Sequence, residues 1–218
     1  MRRRSLAGGR QHDVIEPSRH GAGRTSRPRG RPASICRGRS AHNVHMTGEG
    51  TRRDAPAMVV RPIARADEAE LRRIHCAAEV VRWWDTPEDG FPWSDEPDST
   101  RLTIEVDGEV AGMIQFYEDP TPKYRHAAVD MFLDPALHGR GLGTEALRRV
   151  VRHLVQERGH HRITVDPATS NAAAIRAYEK AGFARVGVMR RYERDYAGGD
   201  WHDGLLMELV ASPTGDLS

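Results

Sequence analysis

Only two cysteines, Cys36 and Cys76, stand in the 218 residues. That count excludes a disulfide framework and a cysteine-based metal centre, and it leaves Cys76, inside a helical stretch, as a core thiol. His42 and His45 in "HNVH" have ligand-like spacing but no partner ligands, so no metal is expected. The chain also lacks a long apolar run, an internal repeat and the Walker pattern G-x-x-x-x-G-K-[ST]. These absences exclude a helical membrane span, a repeat array and a P-loop. No apolar stretch follows "MRRRSLAGGR" to suggest a secretory signal. The expectation is a cytoplasmic protein without a membrane partner.

Charge is unevenly spread. Of 33 basic and 31 acidic residues, thirteen arginines but only four acids fall in residues 1–57, which leaves 58–218 with 20 basic against 27 acidic. Residues 1–57 are rich in Gly, Ser and Pro and have no periodic apolar pattern, so they read as a disordered Arg-rich arm, unless translation begins at Met46 or Met58. The folded part spans 58–212, with a tail at 213–218. Its acidity argues against specific nucleic acid and for a cationic small-molecule partner. Monomer and homodimer both stay open.

Along 58–212 the periodicity alternates between strand and helix. "MVVRPIA" (58–64) predicts a strand. "ADEAELRRIHCAAEVVRWW" (66–84) predicts one helix with Asp67 as N-cap and Leu71, Ile74, Ala77, Ala78 and Val81 apolar. A Pro- and Asp-rich loop follows, with room for one helical turn. Two alternating runs flank Asp107-Gly108, a hairpin signal, and "HAAVDMFLD" (126–134) is the next strand. A helix after Gly141 places Leu142, Ala146, Val150, Val151 and Leu154 on one face. "HHRITVDP" (160–167) is a strand, "SNAAAIRAYEKAGF" a helix capped by Ser170 or Asn171 and stopped by Gly182. The chain ends in a strand pair, 184–196 and 201–210. The fold class is therefore α+β, a mixed central sheet flanked by helices in the order β-α-(α)-β-β-β-α-β-α-β-β.

"HGRGLGTEALRRVVRHL" (138–154) raises the question of which anion its glycines serve. Gly141, Gly143 and Ala146 satisfy the dinucleotide pattern G-x-G-x-x-G/A, and a bare turn is also open. A helix N-terminus behind glycines attracts an anion in either case. The element order excludes the dinucleotide fold, because its glycines follow an early strand and need further parallel β-α-β units. Here a three-strand meander precedes the loop.

"LHGRGLGTEAL" and "SNAAAIRAYEKAGF", at this spacing, resemble the pyrophosphate loop and the following S-N-x-x-A-x-x-x-Y-x-x-x-G-F element of the GNAT superfamily of acetyl-CoA-dependent N-acyltransferases, over essentially all of 58–212. His138 departs from the family's usual Gln or Arg, a change that leaves backbone phosphate contacts intact. "FPWSDEP", "VDMFLDP" and "WHDGLLMEL" look like the branch holding aminoglycoside 6'-N-acetyltransferases and siderophore-type lysine N-acyltransferases. The resemblance implies acetyl-CoA as co-substrate and an amine acceptor, most like the 6'-amine of an aminoglycoside. The alternatives are acyl transfer to a lysine or hydroxylysine and a non-catalytic acyl-CoA sensor.

It also implies site residues. His138, Gly139, Arg140, Gly141, Leu142, Gly143 and Thr144 would hold the coenzyme pyrophosphate, Asn171 and Ala174 its pantetheine arm. Backbone N–H groups of Met131, Phe132 and Leu133, freed by a strand bulge, would polarise the thioester. Asp130 matches the carboxylate beside the acetyl group, a general base or else a strand-edge carboxylate. Tyr178 matches the acid for the leaving thiolate; a packed core aromatic is the other reading. Asp166 is either an ammonium anchor or a turn-forming Asp-Pro. Trp83, Trp84, Asp85, Asp89 and Glu118 complete the candidate acceptor site. Asp85, Glu88, Asp89, Asp95, Glu96 and Asp98 interleave with Trp83, Trp84 and Trp93, which suits a polycationic ligand or merely a solvated loop. Trp201, His202 and Asp203 form a further pocket wall or only a strand end.

Overall fold

The computed structural model describes residues 56–93, 99–194 and 199–212. The expected N-terminal arm up to residue 55, the 213–218 tail, Cys36, "HNVH", and Asp95, Glu96 and Asp98 lie outside the described residues. Seven strands form one sheet: β1 (Met58–Pro62), β2 (Ser99–Val106), β3 (Glu109–Asp119), β4 (His126–Leu133), β5 (Arg162–Val165), β6 (Ala184–Arg194) and β7 (Trp201–Val210). Their spatial order is β1-β2-β3-β4-β5-β7-β6, and only β4 and β5 are parallel. Four helices join them: α1 (Glu68–His75), α2 (Ala78–Trp84), α3 (Leu142–Gln156) and α4 (Ala172–Ala181). None of the described helices is long and apolar enough to cross a membrane. The expected α+β class and element order are those observed.

The helix expected over 66–84 breaks in two. Ala77 is extended (φ −64°, ψ 138°), which ends α1 at His75 and starts α2 at Ala78. Ile74 and Val80, six residues apart, would lie about 240° apart round a continuous helix. With the break both join one buried cluster with Leu71, Phe91, Met113 and Phe132, and Val80 takes the place expected for Val81. A larger core lies on the opposite sheet face. Leu142, Ala146, Leu147, Val150, Val151, Leu154 and Val155 of α3 pack there with Ile114, Phe116, Val129, Ile163 and Met207.

Between these layers β4 and β5 pair at just two register positions, Ala127 with Ile163 and Ala128 with Thr164. β3 and β4 meanwhile stay in unbroken register from Asp119 with His126 to Gly112 with Leu133. The bulge expected near Met131 is therefore absent. The β4–β5 ladder stops at Ala128 with Thr164, and β5 itself ends one residue later at Val165.

Asp67 is not the simple cap its position suggests. Its carboxylate, 3% exposed as a residue, accepts from the Arg61 guanidinium (2.6 and 2.9 Å), the Ala64 N–H (2.8 Å) and the Thr103 hydroxyl (2.8 Å). It thereby ties β1 and β2 to the start of α1. The Arg61 bond, with smaller help from Ala64 and Thr103, holds the Asp67 carboxyl well below the usual carboxylate range. Asp67→Asn should cost about 2–3 kcal/mol of stability at pH 7, read by denaturant unfolding. Because the folded-state carboxyl titrates below its unfolded value near 3.9, this stabilisation is complete above about pH 4 to 5. It is lost as the pH falls further, so the gap between wild type and variant should close in acid.

Candidate active site

The glycine loop is built by its neighbours before any ligand is considered. Asp134 caps the turn Pro135–Leu137 by accepting from the Ala136 N–H (2.9 Å), and Arg73 of α1 pairs with the same carboxylate. The Asp134 N–H bonds the Ala111 carbonyl (2.8 Å), and the His138 ring Nε2 lies 3.2 Å from the Leu133 carbonyl. Gly141, the N-cap of α3, has φ +79°, a left-handed conformation that strains any residue with a Cβ. Gly143 packs tightly for a different reason: a Cβ there would come within 3.2 Å of Leu133 Cδ1 and 3.4 Å of Met131 Cε, so those side-chain ends would have to give by a few tenths of an ångström. The first α3 amide that bonds within this turn is that of Glu145, to the Gly141 carbonyl (3.1 Å). The amides before it in the helix, of Leu142, Gly143 and Thr144, are the orphan donors of a helix N-terminus, suited to an anion.

A groove of about 420 Å³ runs along this loop and α4, bordered by Met131, Phe132, Leu133, His138, Gly139, Gly141, Leu142, Gly143, Thr144, Asn171, Ala174 and Tyr178. These are the expected coenzyme residues with one exception, Arg140, whose exposed side chain is not part of the lining. Thr144 donates to the Ala177 carbonyl (3.4 Å) and so ties α3 to α4. Asn171 caps α4 by accepting from the Ala174 N–H (3.1 Å), which leaves its amide nitrogen as the end able to donate to a ligand.

A second cavity, about 930 Å³, meets the groove at Trp83, Trp84, Met131, Asn171, Ala174 and Tyr178. Asp130 and Asp166 also border it. Register explains the convergence. Arg101 of β2 pairs with Gln115 of β3, and Gln115 with Asp130 of β4, so the three share one sheet face. Tyr178 comes from α4, whose core lies on the other face, and borders the same cavity as Asp130. Burial first, then the nearby Asp130 and Asp166 carboxylates, push the Tyr178 hydroxyl far above its ordinary pKa, so it keeps its proton. Asp166 accepts from the Tyr192 hydroxyl (2.6 Å).

Other expected acceptor residues divide. Trp83, Trp84, Asp85 and Glu88 line the cavity, as does His202. Arg82 stacks on Trp83 (4.7 Å), while Trp84 packs edge-on against Phe132 (5.1 Å). Trp93 turns elsewhere, donating to Glu68 (2.8 Å) beneath Arg65. Asp89 is not in the lining; its carbonyl accepts from Arg72 (3.0 Å). Glu118 lines neither the groove nor the large cavity. It pairs with Arg158 (2.6 Å) and His160 (2.7 Å) and sits opposite Ala127 in the β3–β4 register. Three positions beyond Gln115 is an odd number, which puts Glu118 on the opposite face and about 10 Å along the strand.

Sequence reasoning missed His75, Arg101, Gln115, Tyr192 and Arg194, all of which line the large cavity. Gln115, 6% exposed within an apolar strand, was the one signal available in advance. His75 is 4% exposed and enclosed by Trp84, Phe91 and Phe132, with its Nε2 3.5 Å from the Trp84 carbonyl. Burial lowers its pKa and holds it neutral. The arginines temper the cavity's negative charge from Asp85, Glu88, Asp130, Asp166 and Glu193.

Known proteins bear on this arrangement. The sequence model of the acetyltransferase (GNAT) family matches residues 65–183. A probable N-acetyltransferase of Bacillus subtilis, YjcK, is 30% identical over 104 residues, 48% of this chain and 56% of that protein, so the chain spans little more than half of that relative's length. The aminoglycoside N(6')-acetyltransferase type 1 of Klebsiella pneumoniae is 30% identical over 156 residues, 61% of this chain and 77% of that protein. Among solved structures, the aminoglycoside acetyltransferase AAC(6')-Ib in complex with coenzyme A superposes with a TM-score of 0.59 at 24% identity, over 73% of this chain and 96% of that one, a likeness of fold.

The neutral His75 makes a stability prediction. Its folded-state pKa lies below the unfolded value near 6.5, so the unfolded chain binds the extra proton as the pH falls through that window. Stability should decline below pH 6.5 by up to about 1.4 kcal/mol per pH unit from this group. His75→Phe should remove that part of the slope in unfolding measured between pH 5 and 7.

Proposed function

The chain belongs to the acetyltransferase (GNAT) family, whose members use acetyl-CoA as co-substrate, and we propose that it acetylates a primary amine of a polycationic small molecule, most like the 6'-amine of an aminoglycoside. The observation that carries this reading is the junction of groove and cavity at Tyr178, with Asp130 and Asp166 beside it. The similarity to an aminoglycoside acetyltransferase over 77% of that protein supports the choice of acceptor. So does the set of carboxylates and tryptophans along the cavity.

The orphan amides at the start of α3 would bind the coenzyme's pyrophosphate, and the glycine conformations of the loop fit that use. Amides of β4 beyond Ala128 would donate to the thioester oxygen. An alkylammonium with a pKa near 10 is neutral in only about one molecule in a thousand at pH 7. Asp130 would therefore take its proton, directly or through water, as the amine nitrogen attacks the acetyl carbon. Tyr178 would hand its proton to the departing sulfur and be reprotonated, through solvent, by the second proton that the nitrogen loses as the neutral amide forms. The nitrogen–carbon bond forms, the carbon–sulfur bond breaks, and free thiol leaves with the amide product. Asp166 would hold another ammonium of the acceptor.

A thiol-release assay with acetyl-CoA across aminoglycosides, polyamines and peptide N-termini tests this. Turnover is expected with aminoglycosides; coenzyme binding without thiol release from any amine would point to a non-catalytic sensor instead. A preference for long-chain acyl-CoA and a lysine acceptor would point to the siderophore-type reaction. Asp130→Asn should lower kcat by roughly a hundredfold or more while coenzyme affinity changes little. Equal turnover in that variant removes Asp130 from the base role.

A further inference from the structure

Tyr192 is half exposed, in an edge strand whose side chains are almost all open to solvent, yet its hydroxyl reaches inward to Asp166 Oδ2 at 2.6 Å. Three features of the backbone aim it there. The β6–β7 register shifts between Met189 and Glu193, a bulge that redirects the side chains within it. Arg191 inside that bulge has φ +50°, and its N–H donates to Asp203 Oδ1 (2.8 Å), which pins the bulge to β7. The Tyr192 ring then lies against Gly204, where a Cβ would come within 2.9 Å of its Cδ1. The segment after Asp166 is fastened to the same stretch of β7. The Leu205 N–H donates to the Pro167 carbonyl (2.8 Å), the Thr169 N–H to the Asp203 carbonyl (2.8 Å), and Ala168 bridges Gly204. Tyr192 and Asp166 are thus held by one short piece of strand, Asp203 to Leu205.

Among the described residues, the Tyr192 hydroxyl donates to the Asp166 carboxylate and engages one of its two oxygens, Oδ2. Both residues line the large cavity. We propose that Tyr192 is a positioning residue that fixes the Asp166 carboxylate so that its other oxygen receives a second ammonium of the acceptor, selecting acceptors with two or more cationic nitrogens. This rests on the reading of the large cavity as the acceptor site. Asp166 first, then partial burial, push the Tyr192 hydroxyl up to about 12, so it stays a donor throughout the working pH range.

The test is calorimetric titration of kanamycin into the full chain saturated with coenzyme A. Tyr192→Phe should weaken kanamycin binding about five- to tenfold, the order of one typical net hydrogen bond. Asp166→Asn should weaken it further, and the double variant should bind no more weakly than Asp166→Asn alone. Gly204→Ala, which displaces the ring, should reproduce the Tyr192→Phe loss. In turnover the Tyr192→Phe change should appear in KM for kanamycin rather than in kcat. Wild-type affinity in Tyr192→Phe, a loss that adds to that of Asp166→Asn, or no kanamycin binding by the wild type would overturn the proposal. Kanamycin binding without thiol release would defeat the acetyl-transfer reading and leave this one standing.

Discussion

The parting of β4 from β5 is the constraint on which the rest of the site depends. Two register positions hold these parallel strands together, after which β5 ends at Val165 and the chain follows β7 instead. A sheet with layers on both faces normally separates what lies on one side from what lies on the other. Here the gap lets Tyr178, from the α4 side, border the same cavity as Asp130, which register places on the α1 and α2 side. The groove and the large cavity share Trp83, Trp84, Met131, Asn171, Ala174 and Tyr178.

Rigid elements surround the opening. α3 commits seven buried apolar residues to the larger core, so the loop that precedes it is set by packing as well as by its own glycines. Asp134 and Arg73 connect the loop to α1, and Asp67 connects α1 to β1 and β2. The chain of ion pairs and caps thus runs from the first strand to the glycine loop.

Much of the fold was legible because its signals are local. Alternation marked the strands, Asp107-Gly108 marked the hairpin, and the left-handed Gly182 ended α4 where expected. The glycine loop and "SNAAAIRAYEKAGF" led to the groove residues, Arg140 excepted. What failed depended on distant partners. The kink at Ala77 exists because Ile74 and Val80 must reach one cluster, and that cluster is completed by Phe91, Met113 and Phe132 from elsewhere in the chain. Glu118 stood among the expected acceptor residues, but strand parity puts it on the face opposite Gln115 and Asp130.

The sequence by itself determined the order of elements and the glycine turn before α3, since each rests on residue type and short spacing, whereas Asp130 and Tyr178 became chemical candidates through the resemblance of "VDMFLDP" and "SNAAAIRAYEKAGF" to a known family. Tertiary structure decided which polar side chains meet. His75, Arg101 and Tyr192 come to the cavity through a helix kink, a cross-strand register and a pinned bulge. Those depend on packing between segments far apart in the chain, and local patterns carry no record of them.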